Sequence, residues 1–219
     1  MSIRTVIVSG GNIQKDFALS FLLEYTFDEL IAVDNGLRFL YENGITPTRI
    51  VGDFDTIDPE IVKWYRENTG IEIRAFNPVK DATDTQIAVE LALELNSSTV
   101  EILGGTGSRL DHVLGNIQTL MIPLKEQVEC MLLDANNRIR LIDKPITIGK
   151  TQQFGQYVSL IPLTTEVSGV TLTGFRYPLQ DYTFRSTESA GLGVSNEIAG
   201  DEAHIHLEDG VLILIESRD

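Results

Sequence analysis

Short apolar or β-branched runs at residues 3–8, 28–33, 48–51, 71–76 and 99–103 are separated by stretches in which apolar residues recur at helical spacing. The clearest helix is predicted over 83–95, with Ile87, Ala88, Leu91, Ala92 and Leu95 on one face. Thr83 followed three places later by Gln86 fits a capping box, and Asp58-Pro59 supplies an N-cap followed by proline at the first helical position. Strand and helix alternating in this way predict a parallel sheet with crossover helices, a Rossmann-like α/β architecture.

After about residue 125 the pattern changes. Residues 130–134 and 138–143 have the texture of two strands that can pair across Asn136-Asn137, and from Ile146 onward the chain is rich in Thr, Val and Gly with no helical period. Strands are predicted over 156–162, 167–173, 182–186, 202–207 and 211–216, the last two joined by Glu208-Asp209-Gly210. The expectation is therefore an α/β domain over 1–125 followed by a smaller antiparallel β-sandwich over 126–219. No internal repeat, low-complexity tract or flexible linker interrupts the chain.

Charge narrows the range of ligands. Against 32 Asp and Glu there are 17 Lys and Arg, a net charge of -15 that opposes nucleic-acid binding and repels a free polyphosphate. A polyphosphate ligand then requires a divalent cation and a few local basic groups, whereas a cationic second substrate is attracted. The opening Met1 to Val8 reads as a strand rather than a secretory signal, and no apolar run reaches the ~18 residues of a membrane helix. A cytoplasmic protein without membrane or nucleic-acid partners is expected. Cys130, the single cysteine, lies in an apolar run and reads as a buried structural thiol.

The residues suited to chemistry fall where the predicted strands end. These are Asp34-Asn35-Gly36, Gly52-Asp53-Phe54-Asp55, Lys80-Asp81-Ala82-Thr83-Asp84 and Gly104-Gly105-Thr106-Gly107-Ser108-Arg109-Leu110-Asp111-His112. In open α/β sheets ligands bind outside the carboxyl ends of the strands, so the four segments are expected at one edge. If the chain stays extended past Val51, Asp53 and Asp55 point to the same side with Cα atoms roughly 6–7 Å apart. Two like charges at that spacing repel by about 2–3 kcal/mol at an effective dielectric near 20, which a divalent cation relieves. A turn with solvated carboxylates is the plainer reading of the same string. Asp81, Thr83 and Asp84 equally suit a helix cap and first turn, a role compatible with ligand binding. Lys80 can act as a point charge toward phosphate. The glycines after residue 103 fit a phosphate cradle at a helix N-terminus, although no Gly-Lys-Ser/Thr follows as in a Walker motif. Arg109 adds a forked donor and Asp111 another carboxylate. His112 reads equally well as a surface residue, and His204 and His206 lack a third partner for zinc.

Taken in order, and with Ser195-Asn196, these strings resemble the motif series of the thiamine pyrophosphokinase family over nearly the whole chain. The resemblance implies transfer of the pyrophosphoryl group of ATP to the hydroxyl of thiamine, giving thiamine diphosphate and AMP. It implies Mg²⁺, and a homodimer whose thiamine clefts lie between the α/β domain of one subunit and the β domain of the other. Carried over position by position, catalytic roles fall on Asp53, Asp55, Asp84 and Asp111, with Asp53, Asp55 and Asp84 holding the metal. ATP falls to Asp34, Gly36, Lys80, Asp81 and Thr83 and, from the later string, to Gly104, Gly105, Thr106, Gly107, Arg109 and His112. Thiamine falls to Ser195 and Asn196. Ser108 departs from the pattern, since many relatives have glycine there. A metal-dependent phosphoesterase would use the same acidic cluster on water, and a nucleotide- or thiamine-sensing protein would need binding alone.

Overall fold

The computed structural model describes residues 2–55, 57–75, 82–188 and 191–219, so Lys80 and Asp81 lie outside the described residues. The chain divides into two compact units, Met1–Ala135 and Asn136–Asp219. No described helix is long and apolar enough to cross a membrane.

In the first unit, strands β1 (Ile3–Val8), β2 (Glu29–Val33), β3 (Arg49–Gly52), β4 (Glu72–Ala75), β5 (Ser97–Leu103) and β6 (Glu129–Leu133) lie in the order β4-β3-β2-β1-β5-β6. Every pairing among them is parallel. The chain builds outward from β1 to β4 and then returns to the other side of β1 with β5, so the order reverses between β1 and β5. Central strands are buried on both faces: Val6, Ile7, Val8, Ile31, Ala32, Ile50, Val51, Val100 and Ile102 are fully enclosed. This is why these segments read as continuous apolar runs instead of alternating ones. The edge strand β4 is exposed at both ends, and Arg74 there pairs with Glu72 and Glu94.

Helices α1 (Lys15–Glu24), α2 (Asn35–Glu42), α3 (Pro59–Asn68), α4 (Asp84–Glu94), α5 (Leu110–Thr119) and α6 (Met121–Lys125) follow or connect the strands. Asp58 caps α3 by accepting from the Glu60 N–H at 3.0 Å. Thr83 caps α4 in the same way, accepting from Gln86 N–H at 3.2 Å, but the Gln86 side chain donates to Glu90 at 2.9 Å and does not complete the reciprocal box. The buried face of α4 is Thr85, Ala88, Val89, Leu91 and Ala92, with Ile87 and Leu95 only half-buried, so it is rotated from the face expected. The first unit extends past residue 125 to Ala135 because β6 pairs in parallel with β5. Cys130 is buried in β6, and burial pushes its thiol well above the usual range.

The second unit contains no helix among its described residues. One sheet places β13 (Leu212–Ser217) between β7 (Asn137–Ile142) and β9 (Tyr157–Pro162), all antiparallel. The other contains β11 (Leu179–Arg185), β10 (Glu166–Thr173), β12 (Glu202–His206) and β8 (Ile146–Gly149) in that spatial order, also antiparallel. Val158, Leu160, Leu212 and Leu214 from the first meet Val170, Leu172, Phe184, Ala203 and Ile205 from the second in one core. The unit is thus a sandwich. Glu208-Asp209-Gly210 does not close a hairpin, because β12 and β13 belong to opposite sheets. His204 and His206 alternate with buried Ala203 and Ile205 and so face outward, where the His204 ring bonds Thr147 at 2.9 Å.

Candidate active site

A cavity of about 370 Å³ opens at the carboxyl ends of the parallel strands, where their order reverses. Its floor comes from two glycine turns, one after each strand flanking the reversal. Ser9, Gly10 and Gly11 follow β1, and Gly104, Gly105 and Gly107 follow β5. The turns lie backbone against backbone: Gly11 N–H donates to Gly104 C=O at 3.1 Å, and a Cβ added at Gly11 would stand 2.3 Å from that oxygen. Any larger residue at Gly11 forces the turns apart.

Carboxylates form one wall. One oxygen from each of Asp34, Asp53 and Asp84 lies within 4.8 Å of the others, the single such three-carboxylate group among the described residues. All three side chains are partly buried, and their oxygens are the hard donors that Mg²⁺ prefers. Asp34 follows β2 at φ +44° and its side chain does not cap α2. Asp84 is the first residue of α4, set by the Thr83 cap. Asp53 accepts the Asp55 N–H at 3.2 Å because Phe54 between them turns left-handed, φ +60°. The extended chain expected past Val51 is therefore broken at Phe54, and a turn brings Asp53 and Asp55 together. Asp55 lines the cavity outside the three-oxygen group. Loss of hydration, then the hydrogen bond and charge of Asp53 and the charge of Asp84, hold its carboxyl above the ordinary carboxylate range.

Arg109 and His112 also line the cavity. The Arg109 guanidinium grips Asp111 through two bonds, 3.2 and 2.6 Å, and Asp111 also accepts the His112 N–H at 2.9 Å. These bonds hold the Asp111 carboxyl below its usual range, Arg109 first and the backbone N–H next. Asp111 itself stands outside the cavity lining. So do Thr106, whose hydroxyl donates to Asp134 at 2.6 Å, and Gly36, where a Cβ would meet the Val8 carbonyl oxygen at 1.9 Å. Gly36 allows α2 to pack on the end of β1.

The second-unit pair is placed differently. Ser195 is exposed at φ +57°, whereas Asn196 is buried and its amide is engaged locally. Asn196 Oδ1 accepts from Tyr177 N–H at 3.0 Å and Glu197 N–H at 2.9 Å, and Nδ2 donates to Tyr177 C=O at 2.8 Å. Asn196 thus clamps the backbone of the exposed Tyr177.

Ser9, Gly10, Gly11, Thr85 and Asn116 belong to the cavity but do not appear among the residues selected from sequence. Gly10-Gly11 after β1 carries the same glycine-turn signal as Gly104-Gly105. Asn116 follows His112 by one helical turn and donates to Gly105 C=O at 2.9 Å.

Gly52 provides a test of the acidic wall. A Cβ there would fall 2.2 Å from Asp34 Oδ1, so Gly52→Ala is expected to displace that carboxylate. Binding of Mn²⁺ alone should weaken about tenfold or more, while the melting temperature changes by only a few degrees. A metal titration beside a thermal melt separates the two.

An open parallel sheet carrying an acidic, glycine-floored cavity at its reversal point, followed by a β-sandwich, defines a two-domain α/β–β protein. The chain belongs to the thiamine pyrophosphokinase family. Residues 23–132 match the family description "Thiamin pyrophosphokinase, catalytic domain", and residues 145–212 match "Thiamin pyrophosphokinase, vitamin B1 binding domain". The chain is 34% identical to thiamine pyrophosphokinase of Bacillus subtilis over 189 residues, covering 86% of this chain and 87% of that protein. The crystal structure of thiamine pyrophosphokinase from Bacillus subtilis superposes with a TM-score of 0.86 at 32% identity, covering 99% of both chains. Yeast thiamin pyrophosphokinase, 16% identical, shares the fold at a TM-score of 0.79 over 99% of this chain and 86% of its own.

Proposed function

We propose that this chain transfers the pyrophosphoryl group of ATP to the hydroxyl oxygen of thiamine, forming thiamine diphosphate and releasing AMP. The observation that carries the proposal is the Asp34, Asp53 and Asp84 group, gathered beside two glycine turns at the reversal point of the sheet. The first unit takes ATP and the metal, and the second takes thiamine.

Asp34, Asp53 and Asp84 would hold Mg²⁺, which when bound offsets charge on the polyphosphate that the -15 chain otherwise repels. The cavity-lining glycines bring backbone close to the phosphates, and the N-terminus of α5 directs its dipole toward them. Arg109 turns from Asp111 to the transferring group, with Asp111 orienting it between turnovers. Asp55, which lines the cavity beside the acidic group, accepts the proton of the thiamine hydroxyl as that oxygen attacks the β-phosphorus. The bond from the β-phosphorus to the oxygen bridging it to the α-phosphorus breaks, and AMP departs with that oxygen. Phosphoryl-type transfer asks a protein mainly for positioning and charge stabilisation, which these groups provide.

In the second unit Ser195 and the Tyr177 that Asn196 clamps form the thiamine surface. The thiazolium cation is favoured by the acidic protein as a whole. Exposed apolar residues flank both half-sites: Leu110 and Leu114 on α5 beside Arg109 and His112, and Leu192, Val194 and Tyr177 beside Ser195. A second copy of the chain covers them in a cytoplasmic homodimer, each site drawing its α/β and β parts from different subunits.

The test is dependence on the acceptor. With ATP and Mg²⁺, AMP should accumulate only when thiamine is added and in equal amount with thiamine diphosphate. Release of inorganic phosphate at the same rate without thiamine would identify a phosphoesterase instead, and ligand-dependent stabilisation without turnover a sensor.

A further inference from the structure

Ser9 and Thr85 form a buried hydrogen bond between hydroxyls, 2.6 Å, that joins the turn after β1 to the first turn of α4. Ser9 is itself tied to the sheet, its N–H donating to Leu103 C=O at 2.8 Å. Its carbonyl oxygen stands 2.5 Å from where a Cβ on Gly104 would lie, so the turn after β5 packs directly on it. Thr85 follows Asp84, and the turn that bears both is pinned at Thr83 by the bond from Gln86 N–H. A continuous set of bonds therefore runs from the end of the sheet through two hydroxyls to the helix turn that carries one carboxylate of the acidic group.

We propose that Thr85, through Ser9, is a positioning residue that sets the Asp84 carboxylate against Asp34 and Asp53 for a divalent cation; this rests on the metal-binding reading of that group. Helix capping at Thr83 fixes where α4 starts and its buried apolar face fixes its rotation; the Ser9–Thr85 bond adds a directed tie between its first turn and the end of β1. It also explains why α4 buries a threonine on its core face where its apolar period points to Ile87.

A matched control lies in the same sheet. Thr5 and Ser97 form another buried hydroxyl pair, also at 2.6 Å, near the opposite ends of β1 and β5 and away from the cavity. Thr85→Val, Thr85→Ser and Thr5→Val, each in the full chain, are compared for thermal stability and for binding of Mn²⁺ alone, followed by the electron paramagnetic resonance of free Mn²⁺. Thr85→Val should weaken Mn²⁺ binding by about tenfold, the scale seen when residues that orient metal ligands are removed. Thr85→Ser should restore it to within about threefold, and Thr5→Val should leave it unchanged at a similar loss of stability. If Thr85→Val does not fold, Ser9→Ala removes the same bond from the other side and is read identically. Unaltered Mn²⁺ binding in the variant lacking the bond, equal weakening in Thr5→Val, failure of Thr85→Ser to restore affinity, or no Mn²⁺ binding by the parent protein overturns the proposal. Should the Mn²⁺ pattern hold while the parent protein makes no thiamine diphosphate, the functional reading fails and the positioning role stands.

Discussion

Asp53→Asn is expected to lower turnover by at least about 100-fold while leaving the fold intact, because it removes charge from the centre of the acidic group and keeps the side chain's shape. Asp53 is only partly buried, and an asparagine oxygen can still accept the Asp55 N–H that Asp53 receives at 3.2 Å. A thermal melt close to that of the parent protein should therefore accompany the lost activity. Near-normal turnover across a Mg²⁺ titration would show that Asp53 is a turn residue and that the metal is held elsewhere.

The second large effect is recovery of activity from two nearly inactive proteins. Ser195→Tyr covers the proposed thiamine surface at an exposed position whose hydrogen bond to Ser159 is made by the backbone N–H; the left-handed backbone there, φ +57°, disfavours an aromatic, so a thermal melt must first show the variant folded. It is preferable to a truncation at Asn196, which would leave the Tyr177 backbone unsatisfied and disturb the domain itself. When Asp53→Asn and Ser195→Tyr chains exchange subunits at random, half the dimers are mixed. In the proposed shared-site dimer both lesions fall in one site of each mixed dimer and the other site is whole, so about a quarter of full site activity should return. Persistent inactivity after verified exchange, with both parents dimeric, would place each site within one chain.

The parallel half was legible because its central strands are enclosed on both faces, which turns them into unbroken apolar runs, and because Asp58 and Thr83 announce helix starts by capping chemistry. What periodicity does not specify is a partner. The period of the apolar run at Cys130 to Leu133 does not reveal its parallel pairing with β5, which carries the first unit on to Ala135. The strands before and after Glu208-Asp209-Gly210 were likewise legible, whereas their separation into two sheets was not.

At the site, acidic residues at strand ends were visible, but the grouping of their oxygens depends on backbone conformations that residue types do not reveal. Phe54 is left-handed although a bulky aromatic disfavours it, and the turn it makes leaves Asp34 beside Asp53 and Asp84 in the three-oxygen group. Thr85 and Asn116 were missed because a helical Thr or Asn ordinarily reads as surface. Their burial follows from one bond each, to Ser9 and to Gly105. Asn196 was visible as a motif residue, but not as a clamp on Tyr177, which is distant in sequence and adjacent only through the β-sandwich.

Phosphorus NMR of the protein incubated with ATP, Mg²⁺ and thiamine tests the central claim most directly, since it follows every phosphorus atom through the reaction. Attack at the β-phosphorus predicts that the three resonances of ATP give way to the single resonance of AMP and the paired resonances of thiamine diphosphate, in equal amounts from the earliest time points. Appearance of ADP with thiamine monophosphate as the first products would contradict it.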